Sequence, residues 1–334
     1  MLFWDFKRSA ASVELLVAYG RQKGLSTTAL LRGSGISRAQ LTDPNVELAA
    51  VRELRVIANF LRLAGAPHLG LDFGQRYRFT TYGLWGYGLI SSATVGEALD
   101  MALRYLPLSF LFTQVHYRHD RELATLSFDE PDFSDELRQF VVERDMAAAA
   151  ALIRDLAGDD FALTRLRLRS PDAVHRPRPA PLRVFGAEPV FGAPRNEIAV
   201  DAALLARPLP GANPITAAMC EQLCAELVRR RTAQSSTSHV VSQYLAVPGI
   251  RLPDLAQMAR HLNTSERTLK RRLQAEGTSF RLLLESRRRG LALELLRERE
   301  LSLSAIAERL GYADLSSFSQ AHKRWHGVSP RTLR

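Results

Sequence analysis

Two short stretches near the C-terminus carry polar side chains at spacings that place them on one face of a helix. The first holds Glu266, Arg267, Lys270 and Arg271. The second holds Ser316, Ser317, Ser319, Gln320 and Lys323. Arginine can pair bidentately with guanine and glutamine with adenine, hydroxyls bond to several base edges, and lysine attracts phosphate. These residue types therefore predict contacts to duplex DNA, whereas a merely solvated surface is the alternative for either helix taken alone.

The two stretches repeat one pattern of small, apolar and capping residues. Ala259 and Ala307, which are 48 positions apart, can each permit the close crossing of two helices joined by a short turn. Ser265 and Asp314 are predicted to cap the second helix of each copy, and Gly311 to take a left-handed conformation. The apolar residues predicted to face the first helices are Leu269, Leu273, Phe318, Ala321 and Trp325. The pattern predicts two helix-turn-helix motifs.

A single long helix is predicted between the two copies, over residues 279–298. At about 1.5 Å per residue it would be about 30 Å long, close to the 34–36 Å or so of one DNA turn. It could therefore place two recognition helices in successive major grooves. Gly290 interrupts it at a cost of about 1 kcal/mol, and the run 287–289 of three arginines is expected to contact phosphates.

The charge of the chain is concentrated in its last part. Residues 238–334 hold 17 Lys and Arg against 9 Asp and Glu, whereas the whole chain has a net charge of +10. The last 97 residues therefore carry +8 of that excess. Such asymmetry favours a polyanionic partner, with an exposed basic surface as the alternative.

The first two thirds of the chain mix helical and strand patterns. Helices are predicted within 12–64, from the cap Thr94 with Glu97, and over 135–158, while 110–128 predicts a hairpin and 162–170 a strand. The stretch 24–41 is not a third helix-turn-helix, because Gly33 and Gly35 would break its second helix. A further helix is predicted from Asn213, and the polar tract 232–238 is predicted to be a linker.

These patterns predict a multidomain chain. An α+β sensor domain is expected over 1–212, a connecting helix and linker over 213–237, and an all-α domain with two helix-turn-helix motifs joined by a long helix over 238–334.

No enzymatic, metal or cofactor site is predicted. Cys220 and Cys224 are the only cysteines, and their spacing favours small apolar packing over a metal or redox site. No phosphate-binding loop, nucleophile elbow or zinc-protease motif is present. The N-terminus lacks the clean apolar run of a signal peptide, and no stretch is long enough to span a membrane. The expectation is a soluble, cytoplasmic and nucleoid-associated protein without cofactors.

Residues 238–334 resemble the DNA-binding region of the AraC/XylS family of bacterial transcription regulators. The resemblance is carried by "LAQMARHLNTSERTLKRRL", "EGTSFRLLLESRRRGLALELL" and "ERLGYADLSSFSQAHKRWHGVSPRTLR". More loosely, "SSATVGEALDMALRYLPL" and "VFGAEPVFGAPRNEIAVDAALLARPLP" resemble the arabinose-binding-type effector and dimerisation domain of one branch. Family members often have Arg in place of Gln320 and an aromatic residue in place of His322. The first departure alters the expected base preference of copy two, and the second predicts a looser core there.

The resemblance implies a sequence-specific regulator that binds double-stranded promoter DNA, acts on RNA polymerase and forms a homodimer. It also implies control by a small-molecule effector in the N-terminal domain. Effector contacts are considered for Trp85, Tyr87, His116 and Tyr117, with core packing as the favoured role of each.

Two other functions remain open on the sequence alone. A DNA-repair methyl-acceptor protein would carry a similar helical module, but it needs a reactive cysteine that Cys220 and Cys224 do not offer. A purely architectural DNA-binding protein would not need some 210 residues of mixed α and β structure.

Overall fold

The computed structural model describes residues 7–66, 68–158, 161–171, 184–234, 236–297 and 301–333. The chain divides into two compact units, Phe6–Gln234 and Ser235–Arg334. Within the described part, no helix is long and apolar enough to cross a membrane.

The N-terminal unit is mainly helical, with two small sheets among its helices. Its helices are α1 (Ala11–Gln22), α2 (Thr27–Leu31), α3 (Ala50–Ala64), α4 (Leu69–Gly74), α5 (Leu84–Ile90), α6 (Val95–Arg104), α7 (Asp135–Ala157) and α8 (Pro214–Gln234). Its strands are β1 (Lys7–Ser9), β2 (Glu47–Ala49), β3 (Gln114–His119), β4 (Leu123–Asp129), β5 (Arg165–Arg167) and β6 (Asn196–Asp201). Helices and strands follow each other as expected for an α+β domain.

The main sheet has four antiparallel strands in the order β3-β4-β6-β5, and β1 and β2 form a separate pair. The register places Leu126 opposite Ile198 and Ile198 opposite Leu166. These three buried residues lie in one core cluster with Val142 and Met146 of α7. The apolar face of the sheet therefore packs on α7.

Two glycines allow α4 to lie against α7 at short range. A Cβ at Gly70 would lie 2.4 Å from the carbonyl oxygen of Phe140, and one at Gly74 would lie 2.4 Å from that of Arg144. Neither approach is possible for a larger residue, because real Cβ contacts are longer. The spacing of four places both glycines on the same helix face.

Most of the N-terminal elements predicted from sequence are confirmed. The Thr94 side chain accepts a hydrogen bond from the Glu97 N–H at the start of α6, and β3 pairs with β4 as a hairpin. Gly33 and Gly35 adopt φ values of 68° and 69°, so the second helix of the rejected helix-turn-helix does not form. The first part of the proline-rich stretch 175–194, up to position 183, lies outside the described residues. The remaining part, 184–194, forms isolated β-bridges at Val184, Ala187 and Val190.

Two predictions in this part of the chain need correction. Strand β6 was missed, although it lies between β4 and β5 and is buried over Asn196–Val200. The polar tract 232–238 is mostly helical: α8 continues to Gln234 and α9 begins at Thr237, with Ser236 as its N-cap. Capping by the serine hydroxyl explains how a polar tract can start a helix.

The C-terminal unit contains six α-helices and no strand within its described residues. They are α9 (Thr237–Leu245), α10 (Leu255–His261), α11 (Glu266–Ala275), α12 (Phe280–Arg297), α13 (Leu303–Arg309) and α14 (Leu315–His326). Helix α12 has 18 residues and is therefore about 27 Å long. The predicted long connecting helix is confirmed.

Candidate nucleic-acid interface

The first helix-turn-helix is formed by α10 and α11. Asp254 caps α10 in a capping box with Gln257, and the Ser265 side chain accepts a hydrogen bond from the Thr268 N–H at the start of α11. Asn263 takes a left-handed φ of 48° in the turn between them. Ala259 is buried where the helices cross. The predicted cap and crossing residue are both confirmed.

The second helix-turn-helix, α13 and α14, repeats this geometry. The N–H of Tyr312 donates to the carbonyl of Ala307 over 3.0 Å, as that of Thr264 does to Ala259 over 2.9 Å. Gly311 has a φ of 74°, and Asp314 Oδ1 accepts from the Ser317 N–H over 2.7 Å. Hydrogen bonds from Ser317 and from the backbone N–H of Ser316 lower the pKa of the Asp314 carboxyl, so the cap is charged at neutral pH.

The second helices turn their apolar residues inwards and their polar residues outwards. Leu269, Leu273 and Phe318 are fully buried, and Ala321 is buried. Trp325 packs against the apolar cluster that α12, α13 and α14 form together. Among the nine predicted contact residues, Ser319 is half-buried and the other eight are exposed: Glu266, Arg267, Lys270, Arg271, Ser316, Ser317, Gln320 and Lys323. The structure therefore gathers them on the outward faces of α11 and α14.

Within the described chain, the cationic groups of α11 that face outwards have no internal partner. The side chains of Arg267, Lys270 and Arg271 make no hydrogen bond or ion pair with other described residues. Their charges are thus available to an external anion. Polar side chains that are exposed and unpaired lose little internal energy when they bind a ligand.

The arginine run at 287–289 is used differently from the expected phosphate contact. Arg287 Nε donates to the carbonyl of Leu245 over 2.9 Å. Arg288 Nε donates to that of Leu310 over 2.8 Å, and its guanidinium lies 4.9 Å from the Tyr312 ring centre. Only Arg289 of the three is exposed. The guanidinium groups of the first two bind the C-terminal carbonyls of α9 and α13, which lack partners within their own helices, and contact of the run with phosphates stays a prediction.

Replacing Arg288 with methionine is expected to destabilise the C-terminal unit by about 1–3 kcal/mol, since a charged donor to the Leu310 carbonyl is lost. Faster hydrogen exchange of the α13 and α14 amides would report the change. Arg289→Met is the matched control, because Arg289 is exposed and its replacement should change stability by less than about 0.5 kcal/mol. Equal effects of the two substitutions would contradict the assigned role.

His322 lies in the core of copy two, where its Nε2 is buried without a hydrogen-bond partner among the described residues, and the expected looser packing stays a prediction. It is fully buried, its Nδ1 lies 2.8 Å from the carbonyl oxygen of Val328, and its ring meets Phe318 edge to face at 5.7 Å.

The sequence analysis did not single out Glu285 of α12, which accepts hydrogen bonds from both Trp325 and Arg324 over 2.8 Å. This carboxylate fixes α14 to the long helix.

The N-terminal unit contains a partly open, apolar cavity of about 80 Å³ between the main sheet and the helices α5, α6 and α7. Trp85 lies in its wall, whereas Tyr87 is 58% exposed and does not line it. His116 and Tyr117 line a separate, open and polar cleft on the sheet. Of the four residues considered for effector contact, the structure therefore places one, Trp85, at the apolar cavity.

The two cysteines are buried thiols on α8. Burial, together with the neighbouring Cys220 and Glu221, raises the pKa of the Cys224 thiol to about 11. Burial also raises the pKa of Cys220. Both groups are therefore protonated at neutral pH and poorly suited to act as nucleophiles.

Comparison with known proteins assigns both units to described families. A family model for the N-terminal arabinose-binding domain of AraC transcription regulators matches residues 24–209. A model for a helix-turn-helix domain matches residues 258–334.

Relatives of similar length share about a third of their residues with this chain. The ornithine utilization regulator of Pseudomonas aeruginosa is 33% identical over 325 residues, which cover 97% of this chain and 95% of that protein. An uncharacterised HTH-type transcriptional regulator of Mycobacterium tuberculosis is 31% identical over 98% of this chain and 96% of its own length. The transcriptional regulator CdpR from Pseudomonas aeruginosa, which has a crystal structure, is 30% identical in sequence. The match covers 83% of this chain and 89% of the CdpR chain, with a TM-score of 0.42.

Proposed function

Because the chain belongs to the AraC family of transcription regulators, we propose that it recognises promoter DNA through α11 and α14 and that a small molecule bound in its N-terminal unit controls it. The chain is a DNA-binding transcription regulator with an N-terminal ligand-binding type of domain. The observation that carries the assignment of contacts is the pair of equivalent second helices, each with an exposed polar face, in a segment of net charge +8.

The contact residues proposed for copy one are Glu266, Arg267, Lys270 and Arg271. Arginine supports readout of guanine in the major groove, and lysine supports phosphate binding. For copy two they are Ser316, Ser317, Ser319, Gln320 and Lys323, where amide and hydroxyl groups can bond to several base edges. The rigid α12 between the copies supports their use on one face of the duplex.

The same proposal covers the partners and the site of action. A promoter-bound regulator acts on RNA polymerase and works in the cytoplasm on the nucleoid. An architectural DNA-binding role is disfavoured, because the arabinose-binding type of domain occupies residues 24–209. A methyl-acceptor role is disfavoured by the protonated thiols of α8.

Mapping of the bound sites across the genome, with the full-length protein, is expected to yield a discrete set of promoters sharing one sequence motif. Affinity for a mapped site should fall steeply with salt, by a slope of about −0.9 per phosphate neutralised. The motif should have two halves about 10–10.5 base pairs apart, as two copies in successive major grooves require. Uniform binding without a motif would instead support the architectural role.

Helix α8 supports the proposed homodimer. Helical spacing in the sequence predicts one apolar stripe on this helix, made of Ala217, Cys220, Leu223, Cys224, Leu227 and Val228. In the structure Cys220 and Cys224 are buried, but four apolar side chains spaced by four residues are exposed. These are Ile215 at 75%, Met219 at 58%, Leu223 at 49% and Leu227 at 36%. A contiguous exposed apolar stripe is typical of an interaction surface.

The double substitution Leu223→Glu and Leu227→Glu is expected to weaken self-association by about two orders of magnitude or more, because it places charges in an apolar interface. Sedimentation equilibrium over a concentration series measures the effect. The matched control is Ala218→Glu with Gln222→Glu, which adds two carboxylates to other exposed positions of α8. A dimer that tolerates both double variants equally would place the interface elsewhere.

A further inference from the structure

We propose that His322 and His326 of α14 make the core of copy two sensitive to acid, so that mild acidification loosens α14 while copy one keeps its fold and its contact with DNA. The inference rests on the proposed function, in which α11 and α14 read the two halves of the promoter site, and it adds a regulation of one of those halves. His322 is a departure from the family pattern, so the inference concerns this chain and not the family at large.

The two imidazole rings lie side by side, one helical turn apart. Their centres are 4.7 Å apart, as the spacing of four residues on one helix face allows. His322 is fully buried, and the ring of His326 meets the indole of Trp325 edge to face at 6.5 Å. Two basic groups therefore share one place in copy two, where a positive charge on one ring disfavours a charge on the other.

Neither ring has an acceptor for a second proton. The Nδ1 of His322 lies 2.8 Å from the carbonyl oxygen of Val328, which can only accept, so Nδ1 carries the proton of the neutral ring. The Nε2 atoms of His322 and His326 are buried and have no hydrogen-bond partner among the described residues. In the protonated ring each Nε2 is a donor, so protonation would bury an N–H group and a charge away from any acceptor and from bulk water.

The carboxylates on the helices that build this core are engaged elsewhere or exposed. Glu285 of α12 already accepts two hydrogen bonds from α14. Glu294 of α12 lies 3.4 Å from an arginine of its own helix, and Asp314 accepts a hydrogen bond at the opposite end of α14. Glu308 of α13 is exposed. None of these four groups is thus held in place to balance a charge on the histidine pair.

The surroundings lower the pKa of His326. Burial is the largest cause, and the neighbouring His322 and the guanidinium of Arg289 on α12 add to it. A hydrogen bond to the backbone of Arg289 acts in the opposite direction without cancelling them. Of the other cations near this core, Arg288 is turned to the carbonyl of Leu310.

The lowered pKa fixes the direction of the pH dependence. Folded copy two binds the proton of His326 less readily than the unfolded chain, in which histidines titrate near about pH 6.5. The stability that the neutral ring contributes is complete above that pH and is lost as the pH falls below it. Acid should therefore favour opening of α14.

The histidine at the end of α10 in copy one is bound differently. The Nε2 of His261 lies 3.0 Å from the hydroxyl of Tyr244. A hydroxyl can donate to a neutral ring and accept from a protonated one, and the C-terminal end of a helix favours a cation. Acid should therefore loosen copy two before copy one.

Hydrogen exchange of the full-length protein at about pH 7.5 and about pH 5.5, corrected for the intrinsic pH dependence of exchange, tests the inference without DNA. On acidification we expect the protection of the α14 amides to fall about fivefold or more relative to that of the α11 amides. The double variant His322→Phe with His326→Gln removes both rings that titrate and should abolish this fall. The matched control is His239→Gln on α9, which should leave the fall unchanged. A constant ratio of protection at both pH values, or an unaltered response of the double variant, would overturn the proposal.

Two further measurements use the unaltered protein, so they do not depend on how the variants fold. In an NMR titration of the histidine ring resonances, His326 should titrate below the ordinary value of about 6.5, and titration at or above that value counts against the proposal. In DNA footprinting, acid should remove protection of the half under α14 and leave the half under α11, whereas persistence of both halves at about pH 5.5 would exclude the regulation. Absence of any promoter footprint at neutral pH would contradict the proposed DNA recognition instead, and the exchange experiment would still decide on the acid sensitivity.

Discussion

Replacing Arg144 with methionine is expected to lower the free energy of unfolding of the N-terminal unit by about 3–5 kcal/mol, because it leaves buried carboxylates without their cation. Arg144 is 1% exposed at the centre of α7. Its Nη1 donates to Glu53 Oε1 over 2.9 Å and its Nε donates to Asp145 Oδ1 over 2.8 Å. Its Nη2 donates to the carbonyl of Phe110 over 2.8 Å.

The network joins three parts of the unit. Asp145 Oδ2 accepts hydrogen bonds from the backbone N–H groups of Phe112 and Thr113 and from the Thr113 hydroxyl. Ser12 of α1 donates to the same Glu53 oxygen over 2.6 Å. Burial is the largest single effect and lowers the pKa of Arg144. The interactions with Asp145, Tyr77 and Glu53 together raise this pKa by more, so it lies above the ordinary value for an arginine. Arg144 therefore remains charged and holds the segment that also carries Ser109 and Leu111 of the cavity wall.

Hydrogen exchange of the Phe112 and Thr113 amides measures this prediction, because both N–H groups depend on the network. Arg154→Met is the matched control: Arg154 lies on the same helix, is 30% exposed and pairs with Asp155. Loss of such a partly exposed pair costs about 0–1 kcal/mol. If these two amides stay equally protected from exchange in both variants, the buried network contributes little to stability.

This network shows where sequence reasoning stops. The run from Asp135 to Ala157 was correctly predicted as a helix, because its composition favours one. Its three consecutive charged residues, Glu143, Arg144 and Asp145, are all buried. Charged residues are seldom buried unless paired. Glu143 pairs with His68 just before α4, whereas Arg144 and Asp145 bind Glu53 of α3 and the 110–113 segment. Such pairing depends on tertiary contacts that local patterns do not encode.

Local signals were reliable where one side chain satisfies one nearby backbone group. The caps at Thr94, Ser265 and Asp314 and the left-handed Gly311 were all predicted and confirmed. Strand β6 was missed because its six residues begin with Asn and Glu and follow a proline-rich stretch, although both residues are buried in the sheet. Its assignment requires the neighbouring strands.

The same contrast holds for the candidate sites. Outward-facing positions of α11 and α14 follow from helix periodicity, and all nine predicted residues lie on those helices. The cavity could not be predicted, because it arises where small residues such as Ala98, Ala102 and Ala149 of two helices face the sheet. Likewise, the carbonyl contacts of Arg287 and Arg288 depend on how α12 packs between α9 and α13.

Arg267→Ala and Arg271→Ala are each expected to weaken binding to the mapped promoter site by about 1–3 kcal/mol, with a smaller loss on random DNA. Both side chains are exposed on α11. Bidentate pairing with guanine accounts for a loss confined to the specific site, whereas loss of a phosphate contact weakens all sequences alike. Competition binding at fixed salt, with specific and random duplexes, measures the two losses.

Arg272→Ala provides the control within the same helix. Arg272 is equally exposed but lies about 100° around the helix from Arg271, away from the proposed contact face. Its loss should affect specific and random DNA alike. Losses at Arg267 and Arg271 that are also equal on both DNAs would remove them from base readout.

Copy two completes the argument, because its hydroxyls discriminate less strongly between bases than arginine does. We therefore expect one well-defined half and one degenerate half in the promoter motif, with a preference for adenine under Gln320. Gln320→Arg should sharpen the degenerate half towards guanine, since it supplies the bidentate donor that copy one already has. A motif with equal information in both halves, or with its stronger half under α14, would refute this order of specificity.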